Sequence, residues 1–264
     1  MSNRMPSLFV SHGSPMTAIQ PSPARDFFLT LAKDLPRPRA IVIATAHFES
    51  EAPLLSADAK PEMIYDFGGF PQPLFEIVYP APGEPDLAVR ATQLLRDTGY
   101  KAQAVVNRGF DHGTWVPLSL VYPQADIPVV QVSVQPELGS AHHVALGEAL
   151  APLRDEGVMI IGSGSLTHNL WELSRSPRDM NAPVRDWVRA FVEWVAEKVE
   201  AGDVDAIANY RARAPFAREN HPRDEHFLPL PFAMGAGVGA KGKRIHTSYD
   251  YGLLSMGMSR GMLK

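Results

Sequence analysis

Apolar and polar residues follow two different rhythms along this chain. Four short, nearly unbroken apolar runs, Ser7–Val10, Ala40–Ala44, Ile127–Val134 and Val158–Ile161, have the length of strands buried on both faces. A less regular run, Leu253–Met258, is a further strand candidate. Between them, Asp26–Leu35, Asp86–Asp97, Ser140–Arg154 and Val184–Val199 repeat apolar residues every three or four positions, the spacing of a helix with one buried face. Ser140 is placed to cap its helix, and Pro85 to open the one after it. The alternation runs without a break in composition, so it predicts one α/β domain over residues 1–264. Its expected form is a three-layer α/β/α sandwich on a central mixed, mostly parallel sheet. Two stretches, Asp58–Pro85 and Tyr210–Arg223, follow neither rhythm, and irregular segments of that length are expected to be functional or partly helical.

Composition narrows the functional classes. With 264 residues, 45% of them hydrophobic, the chain can bury one large core. A formal net charge of −4 and no basic cluster leave no electrostatic footprint for nucleic acid or an anionic membrane. There are no cysteines, which excludes disulfides, thiolate zinc sites and cysteine nucleophiles, and argues against an iron–sulfur cluster. Any metal must be held mainly by His, Asp or Glu. The first ten residues lack the apolar length of a signal peptide, and no run approaches the ~20 residues of a membrane span, so the sequence reads as cytoplasmic.

The histidines carry the chemistry. His12 follows Ser7–Val10, His47 follows Ala40–Ala44, and His168 follows Val158–Ile161. In open α/β sheets the ligand crevice lies beyond the carboxyl ends of the strands, so three histidines there point to one metal or ligand crevice. The 35 residues from His12 to His47 suit one strand–helix–strand unit, which makes the first two strands expected neighbours. His226, after the acidic pair Asp224-Glu225, sits either in an opening helical turn or in an exposed polar turn. His112 reads by itself as a loop histidine, and Trp115 nearby suits a pocket wall or the core equally. His142, His143 and His246 are assigned no function, with His246 in an expected edge strand Arg244–Tyr249. Gly162-Ser163-Gly164-Ser165 is only a fragment of a phosphate loop, and Gly235–Gly242 reads as a flexible loop.

Taken in order, Ser11-His12-Gly13-Ser14-Pro15, Ala46-His47-Phe48, Tyr65-Asp66-Phe67-Gly68-Gly69-Phe70-Pro71, Tyr79-Pro80-Ala81-Pro82-Gly83, Asp111-His112-Gly113, Gly162–Leu170 and Glu225-His226-Phe227 resemble the DODA type of extradiol ring-opening dioxygenases. These are class III enzymes, related to the protocatechuate 4,5-dioxygenase catalytic subunit. The resemblance implies a non-haem metal site that opens catechols beside the diol, with O₂ and a small catechol as partners. On it, His12, His47 and His226 match the metal ligands, and His168 matches the acid–base histidine, with a further role as fourth ligand when zinc is bound. His112 matches a histidine lining the substrate pocket, and Tyr65, Phe67 and Phe70 are expected as apolar walls for a flat ring. The implied metal is Fe(II) for activity, with Zn(II) an alternative occupant. Glu225 is one residue from His226, so a carboxylate ligand there is the competing assignment. Two other functions fit the histidines: a zinc hydrolase, and a non-catalytic metal- or partner-binding relative.

Overall fold

The computed structural model describes residues 4–261. Among the described residues ten strands are formed: β1 (Ser7–Ser11), β2 (Ala40–Glu49), β3 (Leu54–Ser56), β4 (Gln103–Val105), β5 (Val129–Val134), β6 (Val158–Gly164), β7 (Gly242–His246), β8 (Tyr249–Asp250), β9 (Leu254–Ser255) and β10 (Met258–Gly261). Eight of them build one mixed sheet in the order β4-β3-β5-β2-β6-β1-β10-β7, while β8 and β9 pair separately. The central pairings β5-β2, β2-β6 and β6-β1 are all parallel, which is why their apolar runs are continuous rather than alternating.

Both faces of these strands are covered, as a three-layer sandwich requires. Leu8, Val10, Ile41, Ile43 and Ile161 face the helices Pro23–Leu31 and His112–Val121, which supply Phe28, Leu31, Trp115 and Val116. Ala40, Val42, Ala44, Val130 and Ile160 face the other way, against Leu87, Leu95, Leu146, Leu150 and Phe232. A third cluster joins Phe9 to Phe191 and Val195 of the helix Asp186–Ala201, and to Phe227 and Leu230.

The structure departs from the sequence expectations in several places. β1 and β2 are not neighbours, because β6 lies between them. A helix about 10 Å across spans roughly two strand spacings of about 4.8 Å, so a crossover skips a strand without strain. β2 extends past Ala44 to Glu49 through a register break against β5, and so carries His47 on the strand itself. The run Leu253–Met258 is split between β9 and β10. Ser140 is not a cap: a 3₁₀ turn at Pro136–Leu138 leads into a helix that starts at Gly139, and the buried Ser140 hydroxyl finds no partner. Gly235 belongs to the helix Pro229–Ala236, where a Cβ would overlap the Val144 carbonyl, so this glycine permits close helix packing rather than flexibility. Of the irregular segments, Tyr210–Arg223 holds the short helices Tyr210–Arg213 and Ala217–Asn220, and Asp58–Pro85 holds a 3₁₀ turn at Gln72–Glu76.

Candidate functional site

Because β2, β6 and β1 are adjacent and parallel, their carboxyl ends lie together on one edge of the sheet. His12 is the first residue after β1, His47 sits near the end of β2, and His168 is four residues beyond β6. His226 arrives from elsewhere, in a hydrogen-bonded turn (Phe227 N to Asp224 O, 2.8 Å) that precedes the helix Pro229–Ala236. Two glycines of β6 make room for that turn. A Cβ on Gly162 would overlap the Pro229 carbonyl, and one on Gly164 the His226 carbonyl. The two glycines of the Gly-Ser-Gly-Ser stretch thus serve close backbone approach. Gly113 plays the same part for His112, since its Cβ would press on the Thr45 hydroxyl and the His47 ring.

These placements converge. His12, His47 and His226 each offer one ring nitrogen, and the three atoms lie within 4.8 Å of one another. The Nε2 atoms of His12 and His47 are 3.1 Å apart. In each ring the other nitrogen is held by an oxygen. His12 Nδ1 is 3.0 Å from Ser163 Oγ, whose own proton goes to the Gly113 carbonyl, so Ser163 accepts and His12 Nδ1 donates. His47 Nδ1 lies 3.2 Å from Asp66 Oδ2, and His226 Nδ1 lies 3.0 Å from Glu225 Oε1. With Nδ1 protonated in all three, every Nε2 presents a lone pair inward. Two lone pairs at 3.1 Å cannot hydrogen-bond to each other and call for a cation between them. Metal–nitrogen bonds of about 2.1 Å give N···N distances of about 3.0 Å at right angles and about 3.4 Å in a tetrahedron, so the observed spacing fits a first-row divalent ion.

Electrostatics point the same way. Burial first, and then the neighbouring histidines, push His12 and His226 well below the ordinary imidazole range. His47 is lowered to about 3, by burial and by His112, against the opposing pull of Asp66. Neutral imidazoles are the form that binds metal. Burial opposes ionisation of Asp66, but the hydrogen bonds and charges of His112 and His47 outweigh it and hold the carboxyl at about 2. Glu225 is pushed up by burial, and its Oε2 has no hydrogen-bond partner; Arg223 Nε, 3.5 Å away, is an ion-pair neighbour only.

His168 lies beside this triad. Its ring stacks on His226 at 3.4 Å between centroids and 11° between planes, and its Nδ1 is 3.9 Å from Glu225 Oε1. Burial and His112 lower it to about 4, so it is neutral at pH 7 and able to take a proton. Its loop is sewn down by His168 N to Asn220 O at 2.9 Å and by Asn169 Nδ2 to Glu219 O at 2.6 Å. His112 opens the helix His112–Val121, capped by Asp111, with its ring 4.0 Å from that of His47. Phe67 meets the His112 ring at 5.8 Å, and Phe70 meets Phe67 at 5.4 Å. Tyr65 stands behind them, its hydroxyl bound to the Ile77 carbonyl at 2.8 Å and its ring against Phe67 and Trp115. Trp115 is fully buried and belongs to the core.

Sequence reasoning did not single out Asp66 or Ser163. Asp66 contacts both His47 and His112, and Ser163 contacts His12. A lone acid in a Gly-rich aromatic stretch, and a serine between two glycines, both look like turn residues. Their signal was only that each lies inside one of the ordered motifs.

Comparison with known proteins assigns this architecture. Residues 6–258 match the family model described as the catalytic LigB subunit of aromatic ring-opening dioxygenase. A 4,5-DOPA dioxygenase extradiol of Beta vulgaris is 43% identical over 95% of this chain and 94% of its own length. A protein of the same description from Escherichia coli K12 is 39% identical over 90% of this chain and 87% of its own. A crystal structure of an uncharacterized Escherichia coli K12 protein superposes with a TM-score of 0.78 at 32% identity, covering 98% of this chain and all of that one. Among the described residues no helix is long and apolar enough to cross a membrane. The chain belongs to the LigB family of metal-dependent aromatic ring-opening dioxygenases, and its function is extradiol ring cleavage.

Proposed function

We propose that the enzyme opens a DOPA-type catechol with O₂ at an Fe(II) ion held by Nε2 of His12, His47 and His226. The observation that carries this reading is the convergence of three inward lone pairs, each backed by an oxygen acceptor on the opposite ring nitrogen. Relatives described as 4,5-DOPA dioxygenases, which align over nearly the whole chain, support this substrate class. Imidazole suits both Fe(II) and Zn(II), but zinc has no redox chemistry to offer O₂. Family membership does not favour the zinc-hydrolase or the non-catalytic alternative. An Fe(II) ion held by these three histidines would supply Lewis-acidic, redox-active chemistry toward the diol and O₂.

The residues around it divide the remaining work. Three neutral ligands leave the site cationic, so a catecholate is favoured over a neutral diol. His168 accepts a proton from the bound diol and returns it as the ring opens, and its burial keeps the ring neutral beforehand. His112, whose Nδ1–H is committed to Asp66, turns an accepting Nε2 toward a substrate hydroxyl. Phe67 and Phe70, with Tyr65 behind, give a flat ring an apolar wall that excludes water. His168 also serves as a fourth ligand if zinc takes the site. Both oxygen atoms of O₂ end in the product, and the carbon–carbon bond beside the diol is broken.

Anaerobic loading with Fe(II), followed by oxygen uptake and a visible-absorbance scan with a small catechol panel, tests this. The expected result is one O₂ consumed per catechol with a yellow product. Turnover without oxygen, or none in protein shown to hold iron, contradicts it.

A further inference from the structure

One carboxylate touches two of the rings that matter. Asp66 Oδ1 accepts from both the backbone N–H and ring Nδ1 of His112, at 3.0 and 2.9 Å, while Oδ2 lies 3.2 Å from Nδ1 of His47. Asp66 itself sits in the aromatic stretch between Tyr65 and Phe67, far in sequence from either histidine. We propose that Asp66 is a positioning residue that sets the tautomer of a metal ligand and of a substrate-facing histidine together, and so ties the aromatic wall to the metal centre. The inference rests on the reading of His47 as a ligand and His112 as a substrate contact.

Both rings must donate through Nδ1 to share this carboxylate, and both then present Nε2 as a lone pair. An amide in its place cannot serve both. In Asp66→Asn, the oxygen stays with His112, because an NH₂ there would face two N–H donors. The NH₂ then faces His47 Nδ1 and forces the ring to accept at Nδ1, which moves its proton to Nε2 and removes the ligand lone pair. In Asp66→Ala both rings lose their partner. The two substitutions therefore separate the two functions, which a merely structural carboxylate would not do.

The test is metal affinity by anaerobic chelator competition, with steady-state kinetics at saturating Fe(II), on D66N, D66A and D66E beside His47→Ala. D66N is expected to bind metal about 10- to 100-fold more weakly, the usual effect of losing such a partner, while KM for the catechol stays within about twofold of wild type. D66A is expected to lose metal affinity similarly and also to raise KM about tenfold, the size of one lost hydrogen bond. D66E, which keeps both oxygens, is expected to bind metal more tightly than D66N, and carries the test if D66A does not fold. D66N with wild-type metal affinity, D66E no tighter than D66N, or D66A with unchanged KM overturns the proposal. If His47→Ala also keeps full metal affinity, the assignment of His47 as a ligand fails instead.

Discussion

Ser163 gives a sharp test of how His12, a proposed ligand, is oriented. It is fully buried at the end of β6 and makes two contacts: it accepts from His12 Nδ1 at 3.0 Å and donates to the Gly113 carbonyl. Replacing it with alanine removes one oxygen and leaves two buried polar groups without partners. Each such group costs about 1–3 kcal/mol, so the metal-free protein is expected to lose about 2 kcal/mol or more of stability. His12 escapes part of this cost by shifting its proton to Nε2, but that tautomer has no lone pair for the metal. Loss of an outer partner of this kind typically weakens metal binding 10- to 100-fold, or about 1.4–2.7 kcal/mol. The assay pairs denaturant unfolding of the apo-protein with chelator competition for Zn(II) or Fe(II). A Ser163→Ala protein that is destabilised yet binds metal as tightly as wild type refutes the idea that Ser163 fixes the His12 tautomer.

Three further outcomes follow from the same geometry. His168→Ala is expected to retain metal while kcat falls about 10²- to 10⁴-fold, measured by oxygen uptake, if the residue transfers a proton and does not hold the metal, as proposed. Gly164→Ala alters no ligand, yet its Cβ overlaps the His226 carbonyl, so metal affinity should fall with all the histidines intact. The apo-protein should lose stability as pH drops. His47 and His168 titrate near 3 and 4 in the fold but near 6.5 unfolded, so the unfolded chain takes up protons first as pH falls below about 6.5. Each contributes about 1.4 kcal/mol per pH unit, or about 2 kcal/mol between pH 6.5 and 5. Apo-protein unfolding curves that coincide at pH 7 and pH 5 would falsify this reading.

Much of the fold was legible because the central strands are buried on both faces and their apolar runs are unbroken. β3 and β4 escaped notice because each has three residues, and β4 lies at an exposed edge. The position of β6 between β1 and β2 was not readable, since strand order depends on pairings more than a hundred residues apart. That insertion sets Ser163 of β6 against His12, while His168, beyond the same strand, stacks on His226. The helix boundaries moved where 3₁₀ turns continue them, as after Leu31 and Leu150.

At the site, the strand-end rule located His12, His47 and His168 but had no means of reaching His226. That residue joins the cluster because Gly162 and Gly164 let a distant turn lie on β6, a contact that exists only in three dimensions. Asp66, Ser163 and Glu225 share this property: each matters through the ring nitrogen it faces. The choice between Glu225 and His226 was left to family resemblance. In the structure Glu225 Oε1 stands against His226 Nδ1, and it is His226, not Glu225, whose ring nitrogen groups with those of His12 and His47.

The most direct test of the account is therefore the iron content of His226→Ala and Glu225→Ala after anaerobic loading and desalting. His226→Ala is expected to lose its iron, whereas Glu225→Ala keeps the lone pair at His226 Nε2 and retains iron with weakened affinity. Iron retained in His226→Ala and lost in Glu225→Ala would contradict the three-histidine site.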